Sequence, residues 1–170
     1  PSHDWPVALG DAGRRHYSAL TQITATNVPQ LAVAWTFRSG DASPEGRTQI
    51  QCNPVIVDGV LYGTTPTLKL FALDAATGRE LWRFDPFAGQ PGNNSLGVNR
   101  GVVVWQDEGG KDRRILYTAG QELFAVDAAN GRLIEAFGKG GRVDIRAGLD
   151  RPIDQQFVLG NTPGSVWRNL

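Results

Sequence analysis

The chain is short of the residues that most simple site chemistries need. It has one cysteine in 170 residues, Cys52, and two histidines, His3 and His16. A single thiol closes no internal disulfide and reads as a small buried side chain. One cysteine and two scattered histidines also fall short of a zinc or iron–sulfur ligand set. Charge of either sign is not in excess, since 17 Lys and Arg balance 17 Asp and Glu. Without a net field there is no long-range attraction to nucleic acid or an anionic membrane, so a nucleic-acid partner is not expected and a small or neutral one is. No stretch reaches the roughly 18 apolar residues of a membrane span, and the opening Pro1-Ser2-His3-Asp4-Trp5 is not a basic and apolar leader.

What the chain has is a repeat. Leu70 to Phe84 aligned with Leu123 to Phe137, a shift of 53, gives nine identities in fifteen positions. Upstream, Val60-Leu61-Tyr62 matches Ile115-Leu116-Tyr117 at a shift of 55, so a hairpin loop is two residues shorter in the second copy. Self-similarity of this period means that one supersecondary unit cannot bury its own apolar face and packs against copies of itself. Each copy reads as strand, tight turn, strand. Asp74 can accept from backbone N–H groups two residues on, and Gly78 and Gly131 fall where the turn needs positive φ. Leu81, Trp82 and Phe84 open the return strand. Short strands, glycine turns and a period near 50 point to an all-β, partial β-propeller with four antiparallel strands per blade.

At roughly 45 to 50 residues per blade the chain holds about three blades, whereas propellers close with about four to eight. The expectation is therefore part of a longer protein, with a small complete β-sandwich as the alternative. Residues 1–30 read as an extended arm with a short helical turn near Asn27 to Leu31, and residues 31–170 as blade strands. Leu31 to Arg38, alternating about Trp35 and Phe37, reads as the last strand of a blade whose other strands come from elsewhere. Asp58-Gly59 marks a two-residue hairpin turn. Residues 85–99 form a long Gly, Pro and Asn-rich loop of the kind that is usually functional or disordered. Gly138 to Gly141 imitates a phosphate loop but opens no helix and lacks the spacing.

These residues together resemble the quinoprotein dehydrogenases, which carry pyrroloquinoline quinone (PQQ) in an eight-bladed propeller. The Ala-x-Asp-x-x-x-Gly-x-x-x-Trp pattern of residues 72–82 is similar to that family's tryptophan-docking motif, and the second copy departs from it with Glu135 in place of Trp. The arm from Asp4-Trp5-Pro6 to Ala34-Trp35, and Phe137-Gly138 through Arg142 to Leu149, are similar to family segments as well. Asn99-Arg100-Gly101-Val102-Val103-Val104-Trp105 is the sharper signature. The resemblance implies that Arg100 points to the cofactor, and a guanidinium suits three carboxylates and an ortho-quinone. The alternative for Arg100 is a strand-start arginine paired with a surface carboxylate.

The resemblance implies weaker contacts at three further positions. Gln51 stands where relatives often have Glu, and an amide can donate to a carboxylate where an ionised Glu cannot; a polar strand edge is the alternative. Asn94, followed by Ser95, occupies the place of adjacent cysteines in many alcohol dehydrogenases, which turns the expectation toward glucose- and polyol-type members. Thr162, after Asn161, falls where the family places a polar cofactor contact, a simple turn before Pro163 being the alternative. The activity implied is oxidation of a sugar, polyol or alcohol hydroxyl to a carbonyl in the periplasm, with PQQ and calcium and a quinone or cytochrome acceptor. The remaining blades would supply the calcium ligands and the catalytic aspartate from beyond Leu170, so no catalytic or metal residue is expected within the chain. A non-catalytic propeller acting as an outer-membrane assembly scaffold is the rival, which needs neither Arg100 nor the family-like arm.

Overall fold

The structure is a computed structural model and describes residues 4–11, 13–89 and 98–167. Eight strands form two antiparallel sheets of four. The first holds β1 (Val55–Val57), β2 (Val60–Thr64), β3 (Leu70–Asp74) and β4 (Glu80–Phe84) in that order. The second holds β5 (Val103–Gln106), β6 (Arg113–Ala119), β7 (Glu122–Asp127) and β8 (Arg142–Asp144), again in chain order. Two up-and-down sheets of four in series are two propeller blades. Two short 3-10 turns, Val28–Gln30 and Ile153–Gln155, are the only helical elements among the described residues.

The turns follow from the residues that make them. Asp58 and Gly59 have φ of 49° and 75°, the two left-handed residues of a hairpin turn whose twist matches its strands. After β3, Asp74 Oδ1 accepts from the N–H groups of Ala76 and Thr77 at 3.1 and 2.9 Å, and Gly78 reverses the chain at φ 71°. The second copy repeats this, with Ala129 N–H donating to Asp127 Oδ1 at 2.7 Å and Gly131 at φ 74°.

The core lies between the sheets. Tyr62, Leu70 and Ala72 of the first face Ile115, Tyr117, Phe124 and Val126 of the second, with Trp82 and Phe84 packed at the margin. Phe84 meets Tyr117 edge-on at 6.4 Å and Phe124 at 5.8 Å. The repeat thus hides its apolar face against its own copy.

Two docked indoles join successive units. Trp82 Nε1 donates to the Ala128 carbonyl at 3.0 Å, and its ring lies so close to Gly131 that a Cβ there would stand 2.6 Å from it. Trp35 does the same one unit earlier, donating to the Ala75 carbonyl at 3.2 Å and covering Gly78. Residues 31–38 nevertheless form no strand, in contrast to the expectation. A strand is defined by its ladder, and no neighbouring strand of that blade lies within the described residues. The segment still alternates, with Trp35 and Phe37 half-buried and Ala34, Thr36 and Arg38 exposed. It covers the far face of the first sheet, Phe37 lying 4.7 Å from Phe71. That cover explains why Leu70 to Leu73 are buried without alternation.

The second copy breaks where Glu135 replaces tryptophan. Leu133 makes one bridge to Val126, then Phe137 N–H closes a turn on Ile134 O at 2.8 Å. Glu135 sits exposed in that turn, and β8 arrives after the glycine loop to supply the fourth strand. The loop that imitates a phosphate cradle is a reversal, with Gly141 N–H donating to Phe137 O at 3.0 Å.

Candidate functional site

Three segments meet at the N-terminal ends of the first strand of each sheet: residues 51–54 before β1, residues 99–102 before β5, and residues 160–163. The main chain ties them edge to edge. Asn53 N–H and Nδ2 both donate to the Arg100 carbonyl, at 3.1 and 3.0 Å, and Asn53 forms a parallel bridge with Gly101. On the other side Arg100 N–H donates to Asn161 O at 2.7 Å. Gly101 is required by this convergence. A Cβ on it would stand 3.1 Å from Pro163 Cγ, 3.3 Å from Asn53 O and 3.4 Å from Ala8 Cβ.

Of the expected site residues, Gln51, Arg100 and Thr162 are therefore brought to one place, each on or next to this three-segment seam. Asn94 lies outside the described residues. Gln51 is half-buried, while Arg100 and Thr162 are exposed. Among the described residues no carboxylate or carbonyl engages the Arg100 guanidinium. Arg15, Arg83, Arg113, Arg114, Arg142 and Arg146 each hold a carboxylate. Thr162 Oγ1 donates to Asn161 Oδ1 at 3.1 Å, so the hydroxyl is oriented locally and keeps its lone pairs.

The seam borders a hollow of about 220 Å³ lined by Gly101, Tyr117, Thr162, Pro163 and Val166. A larger one, about 630 Å³, lies at the Arg113 end of β6 between the blades, away from the seam. The donor set at the seam is cationic and neutral, with no carboxylate in it, which fits a ligand carrying several anionic oxygens. At Cys52, next to Gln51, burial pushes the thiol up and hydrogen bonding from Thr64 offsets this only in part, which disfavours the thiolate. Among the described residues no three His, Cys, Asp or Glu side chains converge to hold a metal ion.

Comparison with known proteins agrees with this architecture. The family described as "PQQ: Glucose/ethanol/alcohol dehydrogenase, beta-propeller domain" matches residues 5–170. The quinoprotein glucose dehydrogenase of Escherichia coli is 31% identical over 190 aligned positions, covering 98% of this chain and 24% of that protein. The glycerol dehydrogenase large subunit of Gluconobacter oxydans is 30% identical, covering 97% of this chain and 23% of its own length. The crystal structure of the quinohemoprotein alcohol dehydrogenase from Comamonas testosteroni superposes with a TM-score of 0.66 at 29% identity, over 85% of this chain and 20% of that one. The chain thus spans about a quarter or less of the length of the relatives it matches. With a family match over residues 5–170 and relatives 30–31% identical along nearly the whole chain, the chain belongs to the PQQ-dependent glucose, ethanol and alcohol dehydrogenase family of β-propellers.

Proposed function

We propose that this chain builds one wall of a PQQ site in a dehydrogenase that oxidises a sugar, polyol or alcohol hydroxyl to a carbonyl. The observation that carries the reading is Arg100: an exposed guanidinium with no protein partner among the described residues, on a backbone held from both sides. PQQ, when bound, supplies an ortho-quinone that accepts the hydride. The chain's own residues would bind and orient. Arg100 offers a planar fork of donors and a permanent charge to quinone or carboxylate oxygens, which favours the electron-rich reduced state over the oxidised one. The Gln51 amide can donate to a carboxylate, and Thr162 Oγ1, its proton given to Asn161, keeps its lone pairs to accept. In this reading the catalytic base and the calcium ligands come from beyond residue 170, and the electron acceptor is a quinone or cytochrome. A periplasmic location belongs to the same proposal and rests on the family resemblance. The absence of cysteine at Asn94-Ser95 favours a sugar or polyol substrate over a simple alcohol.

The test is a titration of the full-length apoprotein with PQQ in the presence of calcium, following cofactor absorbance. A charge-assisted hydrogen bond contributes about 1.5–3 kcal/mol, so Arg100→Ala is expected to weaken binding by about tenfold to a hundredfold. Arg100→Lys should recover only part of this, because a point charge does not replace a fork. Wild-type affinity in Arg100→Ala would overturn the reading.

A further inference from the structure

Arg100 is preceded by a buried polar residue that the proposed chemistry leaves without a task. Asn99 is 4% exposed and reaches three different parts of the molecule. Its Oδ1 accepts from Gly101 N–H at 2.9 Å and from Thr64 Oγ1, at the end of β2, at 3.4 Å. Its Nδ2 donates to the Thr118 carbonyl on β6 at 3.1 Å. The amide is used in one sense only, because Gly101 N–H can only donate and a carbonyl can only accept. Thr118 extends the chain of bonds, its hydroxyl donating to the carbonyl of Gly160, next to the Asn161 that receives Arg100 N–H.

We propose that Asn99 is the positioning residue for Arg100, setting the direction of the guanidinium by locking the 99–101 turn simultaneously to the first blade, the second blade and the 160–162 segment. The inference rests on the reading of Arg100 as a PQQ contact. Its physical basis is entropic. An arginine side chain is rich in rotamers, and binding through it is weakened by whatever freedom must be frozen at the moment of contact. Asn53 and Asn161 hold the Arg100 peptide groups in the plane of the seam. They leave open the rotation of the turn about that plane, which the bond from Gly101 N–H to Asn99 Oδ1 closes. Alanine at residue 99 removes all three bonds and leaves buried Thr64 Oγ1 and the Thr118 carbonyl to find other partners.

A double-mutant cycle in the full-length protein separates positioning from plain support of the fold. PQQ affinity is measured by absorbance titration, and apoprotein stability by its thermal midpoint, for wild type, Asn99→Ala, Arg100→Ala and the double variant. Positioning predicts that Asn99→Ala weakens PQQ binding by about five- to tenfold when Arg100 is present and by less than about twofold when it is not, while the thermal midpoint falls equally in both backgrounds. Equal losses of affinity in the two backgrounds, or none in either, overturn the proposal while leaving Arg100 as a contact. Wild-type affinity in Arg100→Ala removes the proposal together with the reading beneath it. Should Asn99→Ala lack a cooperative apo transition, Thr64→Val takes away one Asn99 bond and keeps the side-chain shape. The same cycle then decides, with an expected loss of about two- to threefold confined to the Arg100 background.

Discussion

Tyr117 is buried between the sheets, and among the described residues its hydroxyl has no hydrogen-bond partner. Burial pushes its phenol well above the ordinary value, with the Asp85 charge adding to the shift. An unanswered buried hydroxyl costs stability, so Tyr117→Phe is expected to leave the protein as stable or up to about 1 kcal/mol more stable. Denaturant unfolding checks this, and a clear loss would mean that the hydroxyl has a partner in solution. Asp144 behaves oppositely. Side-chain hydrogen bonds from Arg146, at 2.7 and 2.9 Å, lower its carboxyl to about 2. Since the folded value lies below the ordinary 3.8, the contribution of the pair is complete above about pH 4 and lost as pH falls toward 2. A carbon-13 titration of Asp144 should show that depressed midpoint, and Arg146→Gln should return it toward 3.8. At this scale Arg100, Gln51 and Thr162 were named through the family resemblance alone, and the structure sets the segments that carry them side by side. Asn99 was read only as a flank of Arg100, because three bonds to residues 64, 101 and 118 depend on which blades come together, and nothing local records that. A polar residue between Val98 and the Arg-Gly pair, in an otherwise apolar run, was the available signal.

The docked indole is the joint of each element. Trp82→Phe keeps most of the cover over Gly131 but loses the bond to Ala128 O, for an expected cost of about 1 kcal/mol. Gly131→Ala combines a left-handed backbone with a Cβ 2.6 Å from the ring and should cost more, about 2 kcal/mol or above. Urea unfolding of the two variants orders them, and the reverse order would mean that the hydrogen bond, rather than the close approach, makes the joint. The Asp58-Gly59 hairpin, the Asp74 turn and β4 were all legible because their determinants are a few residues apart. The fourth strand of the second blade was not. The repeat carries identity as far as Phe137, whereas the pairing moves on to Arg142–Asp144 after a glycine loop. What ended the likeness was Glu135, since a carboxylate cannot fill a glycine niche and stays in water instead.

Much apolar surface lies outside the two blades. Val33 is 83% exposed, Phe157 79%, and Tyr17 and Trp167 71% each. Val33, Tyr17 and Phe157 lie in residues 17–33 and 157–167, where no strand forms among the described residues. The 170-residue chain prepared alone is therefore expected to self-associate and to bind a hydrophobic dye. Light scattering and dye fluorescence check this, and a monodisperse, dye-silent monomer with a cooperative thermal transition would overturn it. At the scale of the molecule the propeller was legible from a period and a motif, because repetition is written along the chain. The proposed site has no such repeated signal: it rests on single residues at the seam, which the repeat does not mark. The placement of the indoles also bears on anyone who wishes to recombine such proteins. Trp35 anchors to the turn of the first sheet, and Trp82 of the first sheet anchors to the turn of the second. A cassette cut at the sheet boundaries, residues 55–84, would keep Trp82 but leave behind the niche it fills, and would carry off the niche that Trp35 fills. The exchangeable module is instead the span from one indole to the glycine it covers, residues 35–78 or 82–131, so crossover points placed just before each tryptophan should give chimeras that fold where sheet-boundary chimeras do not.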